Sequence, residues 1–211
     1  MKPAQQIALW ADKLRHLSAM GLRFSQNSND RENYRQIQEI AMAMLALATG
    51  ETFAQMELLR APVFSRPTPV VTGDAAVIDG AGRILLIRRG DNGLWAMPGG
   101  ALEVGETPAE GVAREAFEET GLRCEAVAFV GVHDSRLSGS QSRHHLYHFL
   151  FLCQLEGEDA GPQPAIHPGE VLDTRWFPEQ ALPADLSPGH ATRIREAYRV
   201  WHGDSRAYFD R

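Results

Sequence analysis

Apolar side chains in the first sixty residues recur at the spacing of amphipathic helices. Two such stripes flank the polar dipeptide Asn29-Asp30, whose side chains are typical of helix caps, and Gly50 ends the second stripe. Residues 52–59 allow a short third helix. The pattern predicts a small all-helical domain over residues 1–60. Its apolar positions are Ile7, Leu9, Trp10, Leu14, Leu17, Met20, Leu22, Tyr34, Ile37, Ile40, Ala41, Met44 and Leu45.

The pattern changes after residues 61–69, which we interpret as a linker because three prolines in nine residues do not continue a helix. Residues 70–78 and 83–88 are β-rich runs joined by Asp79-Gly80-Ala81-Gly82, a sequence typical of a hairpin turn. Further strands are predicted at 127–135, 144–154 and 171–177, with a loop at 155–169 and a closing helix at 189–202. Because strands and helices do not alternate regularly, we expect an α+β domain over residues 70–211, an α/β/α sandwich with a mixed sheet.

Residues 97–122 read MPGGALEVGETPAEGVAREAFEETGL and contain a strong local helix signal. Thr107 precedes Pro108 and stands three positions before Glu110, which makes a capping box with proline at the first helical position. Gly121 supplies the C-terminal stop. The segment therefore predicts a helix over residues 108–120, with an inward apolar face at Ala109, Val112, Ala113, Ala116 and Phe117.

Glu115, Glu118 and Glu119 stand at i, i+3 and i+4 of this helix, so their carboxylates share one side. Three adjacent negative charges repel one another, and a divalent cation among them removes that repulsion. Carboxylate oxygens at this spacing suit Mg²⁺ or Mn²⁺. A solvated helix face is the alternative interpretation, and it is the better one for an isolated E-x-x-E-E sequence. The residues around the glutamates decide between the two.

The complete segment resembles the signature of the Nudix family, G-x5-E-x7-R-E-U-x-E-E-x-G-U, in which U is an apolar residue. The resemblance implies a strand–loop–helix–loop unit within an α/β/α sandwich, and hydrolysis of a nucleoside diphosphate linked to a second group, X. Position 116 holds an alanine where a larger aliphatic residue is more usual. The fixed positions are filled without a gap by Gly100, Glu106, Arg114, Glu115, Ala116, Glu118, Glu119, Gly121 and Leu122.

The same resemblance implies roles for individual residues, with Mg²⁺ as the cofactor and Mn²⁺ as a substitute. Glu106 is implied as an accessory acidic residue on the substrate side. The family places its general base variably, so Glu119 is the first candidate, and Glu170, in the loop before the strand at 171–177, is the second. The implied metal site consists of Glu115, Glu118, Glu119 and Gly99.

The N-terminal helices are similar to the helical extension of one Nudix subfamily, on the basis of Ile7 to Ala11, Gly21-Leu22, and Asn29 to Tyr34. Members are usually described as ADP-ribose pyrophosphatases, and some act on CDP-choline. At position 74 this chain has an aspartate where arginine is usual in that subfamily. We interpret the extension mainly as a packing element that forms a homodimer, and alternatively as a cover over the nucleotide.

Three arginines are candidates for substrate binding. Arg88 and Arg89 end a β-rich run, and either meets a phosphate or is simply solvated. Arg136 begins the polar loop 136–143, which suits substrate gating. His144 and His148 share a strand face but lie too far apart to bind one metal, so we interpret them as packing residues.

Composition excludes several partners. The formal net charge of −6 argues against a nucleic-acid binder, and residues 1–60 hold only seven Lys and Arg against six Asp and Glu. Cys124 and Cys153 do not form a disulfide framework and fit a reducing cytoplasm. No apolar run is long enough to span a bilayer. We expect a cytoplasmic protein that acts on a small nucleoside diphosphate derivative, without nucleic-acid or membrane partners.

Several functions compete within this frame. Hydrolysis of ADP-ribose to AMP and ribose 5-phosphate comes first, then CDP-choline or another nucleotide-alcohol or nucleotide-sugar, then oxidised nucleoside triphosphates. A non-catalytic, nucleotide-sensing Nudix module is an alternative of a different class. Its signature acids are typically lost, whereas this chain keeps all of them.

Overall fold

The structure, a computed structural model, describes residues 2–61, 68–139, 145–157, 165–167 and 169–211. These residues divide into two compact units. One contains the residues up to Thr68 together with Glu103–Gly105, and the other contains Pro69–Leu102 and Glu106–Arg211. Residues 62–67 of the predicted linker, 140–143 of the polar loop, His144, and 158–164 and 168 of the loop at 155–169 lie outside the described residues.

The N-terminal unit is helical, as predicted, with α1 at Pro3–Phe24, α2 at Ser28–Thr49 and α3 at Phe53–Glu57. The Asn27 side chain accepts a hydrogen bond from the Asn29 N–H and caps α2. Gly50 ends that helix in the left-handed conformation, with φ 76°, which favours glycine. The three helices share a small core of Ala41, Met42, Ala46 and Met56, flanked by Leu14, Leu45 and Leu59.

The second unit contains two sheets. The first has five strands in the order β4-β1-β6-β5-β8, and the second has three in the order β3-β2-β7. Parallel pairs (β1 with β6, β5 with β8) occur beside antiparallel ones, so the prediction of mixed sheets is confirmed. The strands are β1 Val70–Val77, β2 Arg83–Arg89, β3 Trp95–Ala96, β4 Gly99–Ala101, β5 Cys124–Asp134, β6 Leu146–Leu155, β7 Val171–Pro178 and β8 Tyr208–Phe209.

The predicted hairpin turn between β1 and β2 is present, but the two strands do not pair along their length. The Asp79 carbonyl accepts from the Gly82 N–H, and the Asp79 carboxylate accepts from the Arg83 N–H. Beyond a single antiparallel bridge between Ile78 and Ile84, however, the strands enter different sheets. Both strands are largely buried on their two faces, and their longest pairings are with β6 and β7, which are distant in sequence.

Helices α4 (Pro108–Thr120) and α5 (His190–Trp201) pack on opposite sides of β1 and β2. Ala75 and Val77 of β1 share a cluster with α4, whereas Ala76, one position along, shares a cluster with α5. This alternation follows from the two-residue period of a strand and produces the predicted sandwich. Within the described residues, none of the helices has the length and apolarity needed to span a membrane.

Candidate active site

The helix α4 begins and ends where the sequence predicts. Thr107 accepts a hydrogen bond from the Glu110 N–H at 3.2 Å, and the Glu110 carboxylate accepts from the Thr107 N–H at 2.8 Å. Gly121 follows the last turn in the left-handed conformation, with φ 68°. Val112 and Ala116 are fully buried, which fixes the rotation of the helix. Glu115, Glu118 and Glu119 flank this apolar face and are partly buried.

Arg114 pairs with three carboxylates of the signature. Its guanidinium donates to Glu106 at 2.9 Å, to Glu115 at 3.0 Å and to Glu118 at 3.1 Å. Hydrogen bonding to Glu106 raises the pKa of Arg114 further above its usual range, so this residue stays charged. Burial raises the pKa of Glu115, and the bond from Arg114 opposes that rise. The four side chains thus form one network beside the Gly-rich segment.

Glu119 is outside that network. Its carboxylate accepts a hydrogen bond from the Gly99 N–H at 2.8 Å. Burial raises the pKa of Glu119 to about 8, with Glu115 and Glu170 adding to the rise and the Gly99 N–H and Arg89 opposing it. A carboxylate in such a place ionises fully at neutral pH only when a further cation joins it.

Glycines bring the backbone close to these acids. A Cβ added at Gly100 would lie 2.6 Å from a carboxylate oxygen of Glu115, so a larger residue there would displace that carboxylate from its position. At the far end of β2, a Cβ at Gly90 would overlap the Gly169 carbonyl oxygen. The Gly90 N–H instead donates to the Glu170 carbonyl at 2.7 Å, which fixes the Glu170 loop at the end of β2.

The donor set fits a divalent cation by its chemistry. Glu115, Glu118 and Glu119 offer hard carboxylate oxygens on one helix face, and Glu119 is buried without full neutralisation. In the described part of the chain, no three His, Cys, Asp or Glu side chains converge closely enough to bind a metal as they stand. The reason is that Arg114 pairs with Glu115 and Glu118 while Glu119 bonds to Gly99, so bringing the three acids onto one ion requires side-chain rotation.

A cavity of about 610 Å³ opens beside Glu119. Arg89 and Glu170, both predicted from the sequence, line it together with Gly99 and Gly100. The Arg89 guanidinium is held by two hydrogen bonds to Asp91, at 2.9 and 2.7 Å, and faces a wall that includes Glu119. A cationic side chain in this position suits a substrate with phosphate groups.

The other two predicted arginines do not line this cavity. Arg88 is exposed and donates to the Gly93 carbonyl at 2.9 Å. Arg136 is 65% exposed and pairs with Asp134 at 2.6 Å. Glu106, predicted on the substrate side, is bound to Arg114. The structure thus brings Glu119, Glu170, Arg89 and Gly99 together and leaves Arg88 and Arg136 elsewhere.

Sequence reasoning gave four residues that line this cavity no part in the site: His148 was interpreted as a packing residue and Asp74 as a departure from the subfamily, and His190 and Arg193 were not singled out. Asp74, His148, His190 and Arg193 are all less than a tenth exposed, and all four line it. Arg193 and His190 occupy α5 positions in register with the buried Ile194, Ala197 and Tyr198. Polar residues within an apolar helical stripe were the available signal, because such positions are otherwise filled by core residues.

Two family models match the chain. The NUDIX domain matches residues 68–198, and a domain described as UDP-X-like, N-terminal oligomerisation domain matches residues 5–59. The second match agrees with the expectation of an assembly role for the N-terminal helices.

Individual relatives cover either the whole chain or its catalytic part. A putative ADP-ribose pyrophosphatase, YjhB, of Bacillus subtilis is 30% identical over 204 residues, which is 95% of each chain. An ADP-ribose pyrophosphatase of Methanocaldococcus jannaschii is 31% identical over 129 residues, covering 60% of this chain and 73% of the relative. The crystal structure of a UDP-X diphosphatase aligns over 100% of both chains, with a TM-score of 0.61 and 25% identity.

Three findings agree with one another: the signature on α4, the packing of helices on both sides of β1 and β2, and the domain match over residues 68–198. The chain belongs to the Nudix family of hydrolases, enzymes whose relatives are named pyrophosphatases and diphosphatases.

Proposed function

We propose that this chain hydrolyses the diphosphate bond of ADP-ribose to give AMP and ribose 5-phosphate, with Mg²⁺ as cofactor and Mn²⁺ as a substitute. The observation that carries the proposal is the buried Glu119 on the signature helix, beside Arg89 at the wall of a 610 Å³ cavity. The names of the relatives from B. subtilis and M. jannaschii supply the substrate. A cavity of this volume is in the usual range for a small-molecule site.

The residues divide the work between metal binding and substrate positioning. Glu115, Glu118 and Glu119 would hold the metal. Gly99, whose N–H donates to Glu119, is the fourth residue of the metal site. When bound, Mg²⁺ lowers the charge barrier to attack on a diphosphate and stabilises the charge of the leaving phosphate. Arg89 binds the anionic diphosphate and orients it, while Asp91 fixes its guanidinium.

The chemical step needs a base for the attacking water. The water oxygen forms a bond to one phosphorus, the bond from that phosphorus to the bridging oxygen breaks, and the water proton passes to a carboxylate. Glu119 is the first candidate for that carboxylate, because it is the acid of the signature helix that lines the cavity. Glu170, fixed at the same cavity through Gly90, is the second.

Kinetics on two variants test these assignments. With Mg²⁺ and ADP-ribose, we expect Glu119→Gln to lower kcat by about 10²–10⁴-fold, the usual contribution of a positioned proton acceptor. A similar loss in Glu170→Gln would move the base to that residue. Glu125→Gln, an exposed position on β5, is the matched control and should keep wild-type turnover. The proposal fails if purified wild-type protein releases no AMP, or if Glu119→Gln is as fast as wild type.

A UDP-linked substrate is the second candidate. It is favoured by the full-length structural likeness to a UDP-X diphosphatase and by the description of the N-terminal domain. Parallel assays with UDP-linked sugars separate the two, because the higher kcat/KM identifies the preferred nucleotide. CDP-choline remains in the panel as a nucleotide-alcohol.

A further inference from the structure

The cavity has an inner wall whose polar groups are not fully used by the protein. We define the inner wall as Asp74, His148, His190 and Arg193. The Arg193 guanidinium lies 3.3 Å from the Asp74 carboxylate, but without the alignment of a hydrogen bond. Among the described residues, Arg193 Nε and Nη1, Asp74 Oδ2 and His148 Nε2 have no hydrogen-bond partner. Buried polar atoms left unpaired are costly, so these atoms call for a partner that the described protein atoms do not supply.

The inner wall has no net charge. The positive charge of Arg193 offsets the negative charge of Asp74. Burial, together with Arg193, lowers the pKa of His190 to about 3, and burial lowers that of His148 to about 4, so both rings are neutral at neutral pH. The Met97 N–H donates to His190 Nδ1 at 3.2 Å, so the neutral ring carries its proton on Nε2. The wall thus offers donors and an acceptor side by side.

The described residues that line the cavity provide no aromatic face for an alkylammonium group. Quaternary ammonium ions are bound on the faces of Trp, Tyr or Phe. Among the described residues that line the cavity there is no Phe, Tyr or Trp. A choline headgroup placed here has no hydrogen bonds to offer, and the unpaired polar atoms would remain unpaired. Sugar hydroxyls both donate and accept, which matches the inner wall.

We propose that the inner wall binds an uncharged polyhydroxyl group, the sugar attached to the diphosphate, and that Arg193 and His190 make the enzyme select nucleotide-sugars over nucleotide-alkylammonium compounds. This inference rests on the proposed function for the identity of the site and extends it to the group X. It explains why an arginine and a histidine occupy core positions of α5. A ligand that leaves the buried polar groups of a site without hydrogen bonds is also strongly rejected.

The test compares CDP-glucose with CDP-choline, which differ only in the group X. Binding is measured by equilibrium dialysis in EDTA, and kcat/KM for ADP-ribose is measured in parallel with Mg²⁺. We expect wild type to bind CDP-glucose at least about ten-fold more tightly than CDP-choline.

His190→Asn keeps an acceptor near the Met97 N–H but removes Nε2–H, and Asp74→Asn with Arg193→Met removes the ion pair without stranding a charge. Both variants should bring the ratio toward one. Arg195→Gln, a 74% exposed position on α5, should leave it unchanged.

The outcomes separate this inference from the proposed function. Equal binding of the two ligands by wild type, or an unchanged ratio in both variants, overturns the role of the inner wall even if ADP-ribose is cleaved. A sugar preference that the variants abolish supports it even if no ADP-ribose is cleaved, in which case the proposed function alone fails. If the double variant does not fold, as judged by circular dichroism, His190→Asn decides.

Discussion

Burial raises the pKa of Glu119 to about 8, so without a metal this acid of the signature is largely protonated at neutral pH. Among the described residues, one donor, the Gly99 N–H, forms a hydrogen bond to the carboxylate of Glu119. A helix with three adjacent carboxylates is weak evidence for a metal site by itself, because most such runs are solvated. The burial of Glu119 supplies the physical reason to prefer a metal, since a cation beside it would recover the energy lost on leaving water.

The pH dependence of stability tests that burial. The pKa of Glu119 is about 8 in the folded protein and near 4.5 when unfolded. The contribution of the protonated Glu119 side chain to the free energy of unfolding is therefore fully present below pH 4.5 and is lost as the pH rises through 8. In EDTA, we expect Glu119→Gln to be more stable than wild type at pH 8 by about 1–3 kcal/mol, and equally stable at pH 4. Urea unfolding at both pH values measures this. An advantage that is the same at both values contradicts the assignment.

The pair of Asp74 and Arg193 is expected to be sensitive to the loss of one partner. Burial is the largest influence on the pKa of Asp74 and raises it, but Arg193, helped by His190, His148 and His133, outweighs burial and the pKa is lowered. We expect Arg193→Met to lower the free energy of unfolding by about 3–5 kcal/mol, because it strands a buried carboxylate. Adding Asp74→Asn should restore most of the loss. Urea unfolding of both single variants and the double variant measures the coupling, and additive losses would show that the two side chains do not interact.

At the scale of elements, α4 shows how much of the site the sequence predicts. Its capping box, its terminal glycine and its buried face are all local, so the helix could be placed to the residue. By contrast, the pairing of β1 with β6, rather than with β2, depends on contacts more than seventy residues apart. Arg193 was missed for the same reason, because its partner Asp74 lies on β1 and no local pattern joins the two.

The N-terminal cap of α4 contributes measurably to the free energy of unfolding. We expect Thr107→Ala to lower the free energy of unfolding by about 1 kcal/mol, since it removes the acceptor for the Glu110 N–H. Thr107→Ser keeps a hydroxyl in that place and is the matched control. Urea unfolding compares the two variants. Equal stability of the alanine and serine variants would mean that the cap does not hold the helix end.

At the scale of the whole molecule, the N-terminal unit leaves apolar side chains in solvent at heptad spacing. Trp10, Leu17 and Phe24 follow one another every seven residues on α1 and are 52, 58 and 44% exposed. Ile40 and Leu47 do the same on α2, at 54 and 74%. Residues seven apart lie on one face of a helix, so each helix has an exposed apolar stripe. This is the surface expected of a domain that matches an oligomerisation family.

We propose that these stripes form the interface of a homodimer. Replacing Leu47 with glutamate places a charge on the apolar surface, and burying it in an interface would cost more than the association returns. We therefore expect Leu47→Glu to be a monomer by analytical ultracentrifugation at concentrations where wild type is a dimer. Leu172→Glu, at a 60% exposed position on β7, is the matched control and should remain dimeric. A monomeric wild type, or a Leu47→Glu protein that still sediments as a dimer, would show that the stripes do not mediate association. If the dimer dissociates while kcat/KM for ADP-ribose stays at the wild-type value, the partner's N-terminal helices do not cover the nucleotide.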